Sequence, residues 1–205
     1  MVGARTWARP NARAGSKLPR SGLLWAHFGE QLYRGCRAGD IKDGPKVHRI
    51  PPMFKGEVVS IFIAPEEGAP TVEVPEVRAV PGSGLEGDRY FMNAGKMSKK
   101  NKPEREVTLI ESETIEAVAR DYDIEFGLGD SRRNVVTRGV PLNHLVGREF
   151  NVGETRLRGI KLCDPCAYLE SLTSEGVRKA LANRGGLNAQ ILSGGVIRPG
   201  DEVSD

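Results

Sequence analysis

From Glu57 onward the apolar residues of this chain come in short runs, nearly all of them cut by glycine or proline. That pattern excludes long packed helices and leaves a fold built from many short strands. "EVVSIFIAP" (Glu57–Pro65) is β-branched and apolar, and reads as a buried strand ended by its proline. "TVEVPEVRAV" (Thr71–Val80) alternates but shifts phase near Pro75, and proline inside a strand marks an edge or a bulge. "EVTLIE" (Glu106–Glu111) and "RNVVT" (Arg133–Thr137) are two further strands. "REFNVGETRLRGIKL" (Arg148–Leu162) reads as a hairpin turning at Gly153–Glu154, with a bulge at Gly159. "LNAQILSGG" and "VIRPGDEV" close the chain as strands around Pro199–Gly200.

Two segments predict helices. "SETIEAVARDY" (Ser112–Tyr122) has Ser112 as a cap and Ile115, Val118 and Ala119 on one face. "TSEGVRKALANRGG" runs from Ser174 as cap to Gly185 as terminator. With 25 glycines, 13 prolines and only 6% aromatics, and without a βαβ rhythm, the residues predict a β-barrel or rolled sheet with a few short helices.

A length of 205 residues suits one domain with or without a tail. No apolar run approaches a membrane span, and three cysteines are too few and too odd for a disulfide-stapled secreted domain, so a reducing cytoplasm is the expected location. The net charge of +3 hides an asymmetry: residues 1–52 carry +7 and residues 53–205 carry −4. The basic segment 1–52 is expected to be a disordered or non-native extension, its first 22 residues having no hydrophobic periodicity and no signal-type apolar core. His27, Cys36 and His48 lie in it and are given no role, and Met53 precedes the first strand as an alternative start. A nucleic-acid arm is disfavoured by its few aromatics and by the absence of any known motif.

"GSGLEG" (Gly82–Gly87) fits the glycine spacing of a dinucleotide-binding turn, but the helix that should follow is missing. It reads either as a glycine turn or as a loop offering free backbone N–H groups to a ligand beside Asp88 and Arg89. The second motif is "LCDPC", with Cys163 and Cys166. A structural zinc site needs a second ligand pair, and only His144 lies within the domain. A thioredoxin-like dithiol needs βαβ flanks, whereas here the flanks are a hairpin. Two inert buried thiols are the default. For Cys166 the chemistry leans elsewhere: with Asp164 capping and Pro165 at the first position of a short helix, Cys166 falls in the first turn, where the dipole favours a thiolate against the opposing charge of Asp164.

Between Ser131 and Leu162 lie seven basic and two acidic residues. Arg156 and Arg158 read as a solvated strand face, whereas "SRRNVVTRG" combines arginine forks with Asn134, Thr137 and a glycine turn in a pattern suited to phosphate. A soft thiolate near such a surface suggests a cofactor carrying both a soft metal and a phosphate.

At this point the chain resembles a known family. "GLEGDRY" (Gly84–Tyr90), "RRNVVTRGVPLNHLVGREFNVG" (Arg132–Gly153), "LCDPC" (Leu162–Cys166), "RGGLNAQIL" (Arg184–Leu192) and "GGVIRPGDEV" (Gly194–Val203) occur in the order seen in the MOSC domain, the C-terminal domain of molybdenum-cofactor sulfurases. The resemblance spans about residues 55–204 and implies a MOSC-type closed β-barrel over residues 53–205. It implies the molybdenum cofactor (molybdopterin) as ligand, with Cys166 as catalytic residue and molybdenum ligand. Arg89, Arg132, Asn134, Thr137, Arg138 and Arg184 would hold the cofactor. The family histidine before Arg-Gly-Gly-Leu is replaced by Asn183, which removes a proton carrier at that position.

By resemblance, the expected function is a small oxidoreductase that reduces N-hydroxylated compounds, with an electron-donor protein as partner. The alternatives are a sulfur carrier taking a persulfide onto Cys166 from a cysteine desulfurase, and a thiol–disulfide protein using Cys163 and Cys166. The chain lacks an N-terminal barrel domain and a pyridoxal-phosphate domain, so it reads as a stand-alone domain whose desulfurase activity would come from a partner. A small-molecule substrate is expected, and neither nucleic acid nor a membrane.

Overall fold

A computed structural model describes residues 54–92 and 102–205. The basic segment 1–52 and Met53 lie outside the described residues, and so does the stretch 93–101. In chain order the strands are β1 (Lys55–Ile63), β2 (Val72–Glu73), β3 (Val77–Val80), β4 (Gly84–Leu85), β5 (Val107–Glu111), β6 (Val135–Arg138), β7 (Glu149–Val152), β8 (Thr155–Leu162), β9 (Leu187–Ser193), β10 (Gly195–Ile197) and β11 (Glu202–Ser204). Helix α1 (Ser112–Tyr122) follows β5, while α2 (Ala167–Leu172) and α3 (Val177–Ala180) lie between β8 and β9.

Seven strands close a barrel in the order β11-β7-β8-β9-β5-β6-β1, with β1 returning to β11 at Gly56 opposite Val203. β2 extends β1, and β10, β3 and β4 form a separate small sheet. The hairpin turns at Gly153–Glu154 as expected, since Val152 pairs with Thr155, and the β8 register shifts between Gly159 and Lys161. Pro75 separates β2 from β3, which accounts for the change of phase there.

One pairing departs from the sequence reading. β5 and β6 run parallel, joined through α1, so the chain contains a βαβ crossover where no such rhythm was read. The physical signature is double burial. Leu109 and Val135 point into the barrel core with Val58, Phe150 and Leu157. Their neighbours Ile110 and Val136 pack outward against Ile115, Val118, Leu169 and Leu181 of the helical layer. Strands covered on both faces lose alternation and read as continuous apolar runs.

The helix boundaries also move. Ser112 is the first residue of α1 and not its cap: Glu111 holds the cap position, and its carboxylate accepts the Leu142 N–H at 2.8 Å. The second predicted helix shrinks to α3. Its start is tied by the Glu170 carboxylate, which accepts the N–H groups of Gly176 (3.0 Å) and Arg178 (3.3 Å), and Asn183 turns left-handed after it (φ 60°).

Glu106 is a buried carboxylate that accepts the N–H of Ile191 at 2.9 Å and of Gly82 at 3.3 Å, joining β9 to the glycine turn. Burial pushes its pKa above the ordinary value of 4.5, and the two N–H groups pull only partly back. The folded state therefore binds this proton more tightly than the unfolded chain, so stability falls as pH rises from 4.5 through the raised value. Glu111 acts in the same direction, also through burial. Glu106→Gln, which keeps an acceptor oxygen, should flatten the decline in urea midpoint over that window. An unchanged slope would assign the effect to other groups.

Candidate functional site

One end of the barrel opens into a cavity of about 440 Å³. The C-terminal end of β1 contributes Phe62 and Ala64, the start of β5 Thr108, and the approach to β6 Arg132, Arg133 and Asn134. Cys163, Asp164 and Cys166 come from the turn after β8, Asn188 from β9, and Asp88, Arg89 and Tyr90 from the loop after β4. The cysteine motif, the glycine–aspartate motif and the arginine–asparagine motif, separated by up to about 78 residues of chain, thus share one cavity.

The three consecutive residues Arg132, Arg133 and Asn134 do three different things. Arg132 is left-handed (φ 56°), a strained conformation for a side chain of this size, and this turns successive residues in different directions. Its Nη1 donates to the Ala69 carbonyl at 2.8 Å, while Nη2 is buried with no hydrogen-bond partner among the described residues. Arg133 turns inward, donating from Nε to the Gly185 carbonyl (2.9 Å) and from Nη2 to the Cys163 carbonyl (3.3 Å).

Asn134 is saturated. Its Oδ1 accepts from the Thr108 N–H (3.1 Å) and hydroxyl (2.8 Å), and its Nδ2 donates to the Phe62 carbonyl and to Asp88 Oδ2, both at 3.2 Å. Asn134 is therefore a brace of the cavity wall, with no hydrogen-bonding capacity left for a ligand.

Asp88 is buried and also accepts the N–H groups of Ala64 (2.9 Å) and Tyr90 (3.0 Å), which fixes the loop that carries Arg89. Arg89 lies 5.0 Å over the Tyr90 ring, and its Nη1 is the second buried guanidinium nitrogen without a partner among the described residues. The N–H groups of Asp88, Arg89 and Tyr90 are all hydrogen-bonded within the protein, so these three residues offer a ligand their side chains and not their backbone donors. Gly84–Leu85 is itself strand β4, with no helix after it in residues 86–92, as befits a turn and not a dinucleotide-binding loop. Burial, and next the neighbouring Arg89, make Arg132 a weaker base than an ordinary arginine. The two unpartnered nitrogens are charged donors of the kind that suits an anion.

The cysteines are unequal, and both are free thiols. Cys163 is half-buried, and burial pushes its pKa above 9.0 although Arg133 and a hydrogen bond from Asn188 pull it down. Cys166 is exposed at the cavity edge. It lies one residue before α2, at the N-cap, and not in the first turn, so Asp164 and Pro165 are linker residues and not cap and first turn. Among the described residues no group of three or more His, Cys, Asp or Glu side chains comes together as a metal site.

Three predicted site residues lie away from this cavity. Thr137 is fully buried and donates to the Ile110 carbonyl at 3.2 Å, joining β6 to β5. Arg138 is exposed and pairs with Glu116. Arg184 donates to the Ala180 carbonyl at 2.7 Å and stacks 5.9 Å from the Tyr122 ring, facing α1. Arg156 and Arg158 both pair with Glu149 on a strand face. Lining residues that the sequence reading passed over include Thr108, Tyr168 and Asn188.

Among the described residues no helix is long and apolar enough to cross a membrane. A family model described as the MOSC domain matches residues 95–204, just over half of the chain. No curated protein matches it. Among solved structures, the YuaD protein from Bacillus subtilis is 18% identical with a TM-score of 0.60, covering 74% of this chain and 97% of that one. YiiM from Geobacillus stearothermophilus is 18% identical with a TM-score of 0.55, covering 73% of this chain and 75% of its own. YiiM from Escherichia coli is 18% identical with a TM-score of 0.54, covering 75% and 69%. At such identity these likenesses speak to the fold, a mainly β barrel with short helices.

Proposed function

The chain belongs to the MOSC domain family, and on that premise we propose that it binds the phosphate-bearing pterin form of the molybdenum cofactor and, with an external electron donor, reduces N-hydroxylated compounds. What supports this is the pair of buried, unpartnered guanidinium nitrogens of Arg89 and Arg132 in the same cavity as the exposed thiol of Cys166. The donor set suits the group: two arginine forks for a phosphate, one soft sulfur for molybdenum, and no protein cage that would favour a harder or fully protein-ligated ion among the described residues. When bound, the molybdenum centre supplies two-electron redox chemistry. Arg89 and Arg132 orient the ligand through its phosphate, Asp88 and Asn134 hold the wall on which Arg89 is mounted, and Cys166 presents its sulfur at the edge.

Protein purified anaerobically from a host that makes the cofactor should contain molybdenum and pterin in equal amounts, close to one per chain. With a chemical reductant such as dithionite-reduced viologen it should convert hydroxylamine-type substrates to amines. Protein free of both metal and pterin would overturn the proposal.

The exposure of Cys166 also favours a second reading, a persulfide carrier. The Cys166 thiolate would attack the outer sulfur of a desulfurase persulfide, releasing the desulfurase thiolate. Incubation with a desulfurase and cysteine should then add the mass of one sulfur to Cys166, with no turnover of hydroxylamines.

A further inference from the structure

The Arg-Gly-Gly-Leu motif and Arg133 are assigned no ligand contact above, yet they meet beneath the cysteine turn. Gly185 presses directly on it: a Cβ at Gly185 would lie 2.4 Å from the Cys163 carbonyl oxygen and 3.0 Å from Pro165 Cδ. The next residue, Gly186, accepts the Cys163 N–H at 2.7 Å. Arg133 closes the arrangement from the side, its guanidinium bridging the carbonyls of Cys163 and Gly185. Asn188 adds a hydrogen bond from Nδ2 to the Leu162 carbonyl at 3.2 Å. Both ends of the Cys163 peptide unit, and its neighbours, are thereby fixed against β9 and its preceding loop. Cys166 makes no side-chain cap to α2, and its carbonyl accepts the Glu170 N–H at 3.2 Å, so its position is set by this turn on one side and by the start of α2 on the other.

We infer that Arg133 is a positioning residue that, with Gly185, clamps the Cys163–Pro165 turn and so sets where Cys166 stands relative to the Arg89–Arg132 socket. This rests on the cofactor reading for its functional meaning, and on the contacts alone for its mechanics. A buried arginine spent on two backbone carbonyls is otherwise a costly way to hold a loop, since the charge has to be desolvated. It acquires a rationale if the loop must be held to a fraction of an ångström, as an oriented metal ligand requires.

Arg133→Met keeps the apolar stem and removes both hydrogen bonds. Gly185→Ala leaves every bond donor in place, and its backbone is compatible with alanine, but its Cβ displaces the Cys163 carbonyl. Both variants should lose about tenfold or more of the molybdenum bound per chain. Arg133→Lys, which restores one donor, should recover part of it. In metal-free full-length protein, iodoacetamide should alkylate Cys163 faster in both variants, read at each cysteine by peptide mass spectrometry. Binding of inorganic phosphate to metal-free Gly185→Ala and Arg133→Lys should stay within about twofold of wild type, because both variants keep the positive charge beside Arg132 and leave Arg89 and Arg132 in place.

Wild-type molybdenum content and alkylation rates in both variants, alongside loss of molybdenum in Cys166→Ala, would overturn the clamp and leave the cofactor reading standing. Retention of molybdenum by Cys166→Ala would overturn Cys166 as the metal ligand, and the alkylation rates in metal-free protein would still decide the clamp. Wild-type protein free of both metal and pterin would overturn the cofactor reading itself. A parallel loss of phosphate binding in Gly185→Ala and Arg133→Lys would make Arg133 a general fold residue and also overturn it. Should Arg133→Met fail to fold, Gly185→Ala and Arg133→Lys give the same readouts.

Discussion

Cys166→Ala, expressed in a cofactor-competent host, is expected to be isolated with molybdenum reduced by about tenfold or more, whereas Cys163→Ala keeps most of it. The asymmetry follows from where the two sulfurs lie. Cys166 is exposed at the edge of a cavity whose other wall carries two unpartnered guanidinium nitrogens. Cys163 is half-buried, and burial pushes its pKa above 9.0, which disfavours the thiolate that a metal would need. Its backbone, and not its sulfur, is what the clamp uses, so alanine at 163 preserves the Arg133 and Gly186 contacts. Equal metal content in wild type and Cys166→Ala, measured by plasma mass spectrometry, would sink the assignment. Equal loss in both variants would make the two sulfurs joint ligands.

The parts of this fold that were legible in the sequence are those fixed by local periodicity. The β7–β8 hairpin, the bulge near Gly159 and the extent of α1 follow from alternation, turn residues and a helical stripe. The parallel crossover was not legible, because a single βαβ unit has no rhythm to detect. Its trace is the adjacent apolar pairs Leu109–Ile110 and Val135–Val136, which serve two cores at once.

The site divides in the same way. Cys166, Arg89, Arg132 and Asn134 converge, as their motifs implied. Thr137 and Arg138 were grouped with them because they are contiguous, but β6 advances by about 3.3 Å per residue, so four residues carry Arg138 roughly 13 Å beyond Asn134. Arg184 belongs to a motif whose contribution to the site is made by Gly185 and Gly186 instead. Arg133, read as one of the arginine forks of a phosphate-suited run, acquires a different role from a chain crossing 52 residues away, which no local pattern carries.

Arg132→Met should weaken the binding of a phosphate-bearing ligand while leaving the metal-free domain as stable as wild type or more so. Arg132 Nη2 and Arg89 Nη1 are buried donors without partners among the described residues, an arrangement that costs about 1–3 kcal/mol for each unsatisfied group. The two guanidiniums also repel each other across the cavity, with Arg89 depressing the basicity of Arg132. Methionine keeps much of the apolar stem and removes the buried charge, a change that is often neutral or stabilising. Against this stands the lost bond from Nη1 to the Ala69 carbonyl, one contact to a surface loop. In the liganded protein the balance reverses. A charge-assisted hydrogen bond contributes about 1.5–3 kcal/mol, which corresponds to a loss of roughly ten- to hundredfold in affinity. Arg89→Met should lose a similar amount, and the double variant less than the sum, because removing either cation relieves the repulsion felt by the other. Thermal unfolding of the metal-free proteins and calorimetric titration with inorganic phosphate measure the two sides separately. A variant less stable without ligand and unchanged in phosphate affinity would show that Arg132 is a structural tie to Ala69 and that the anion binds elsewhere.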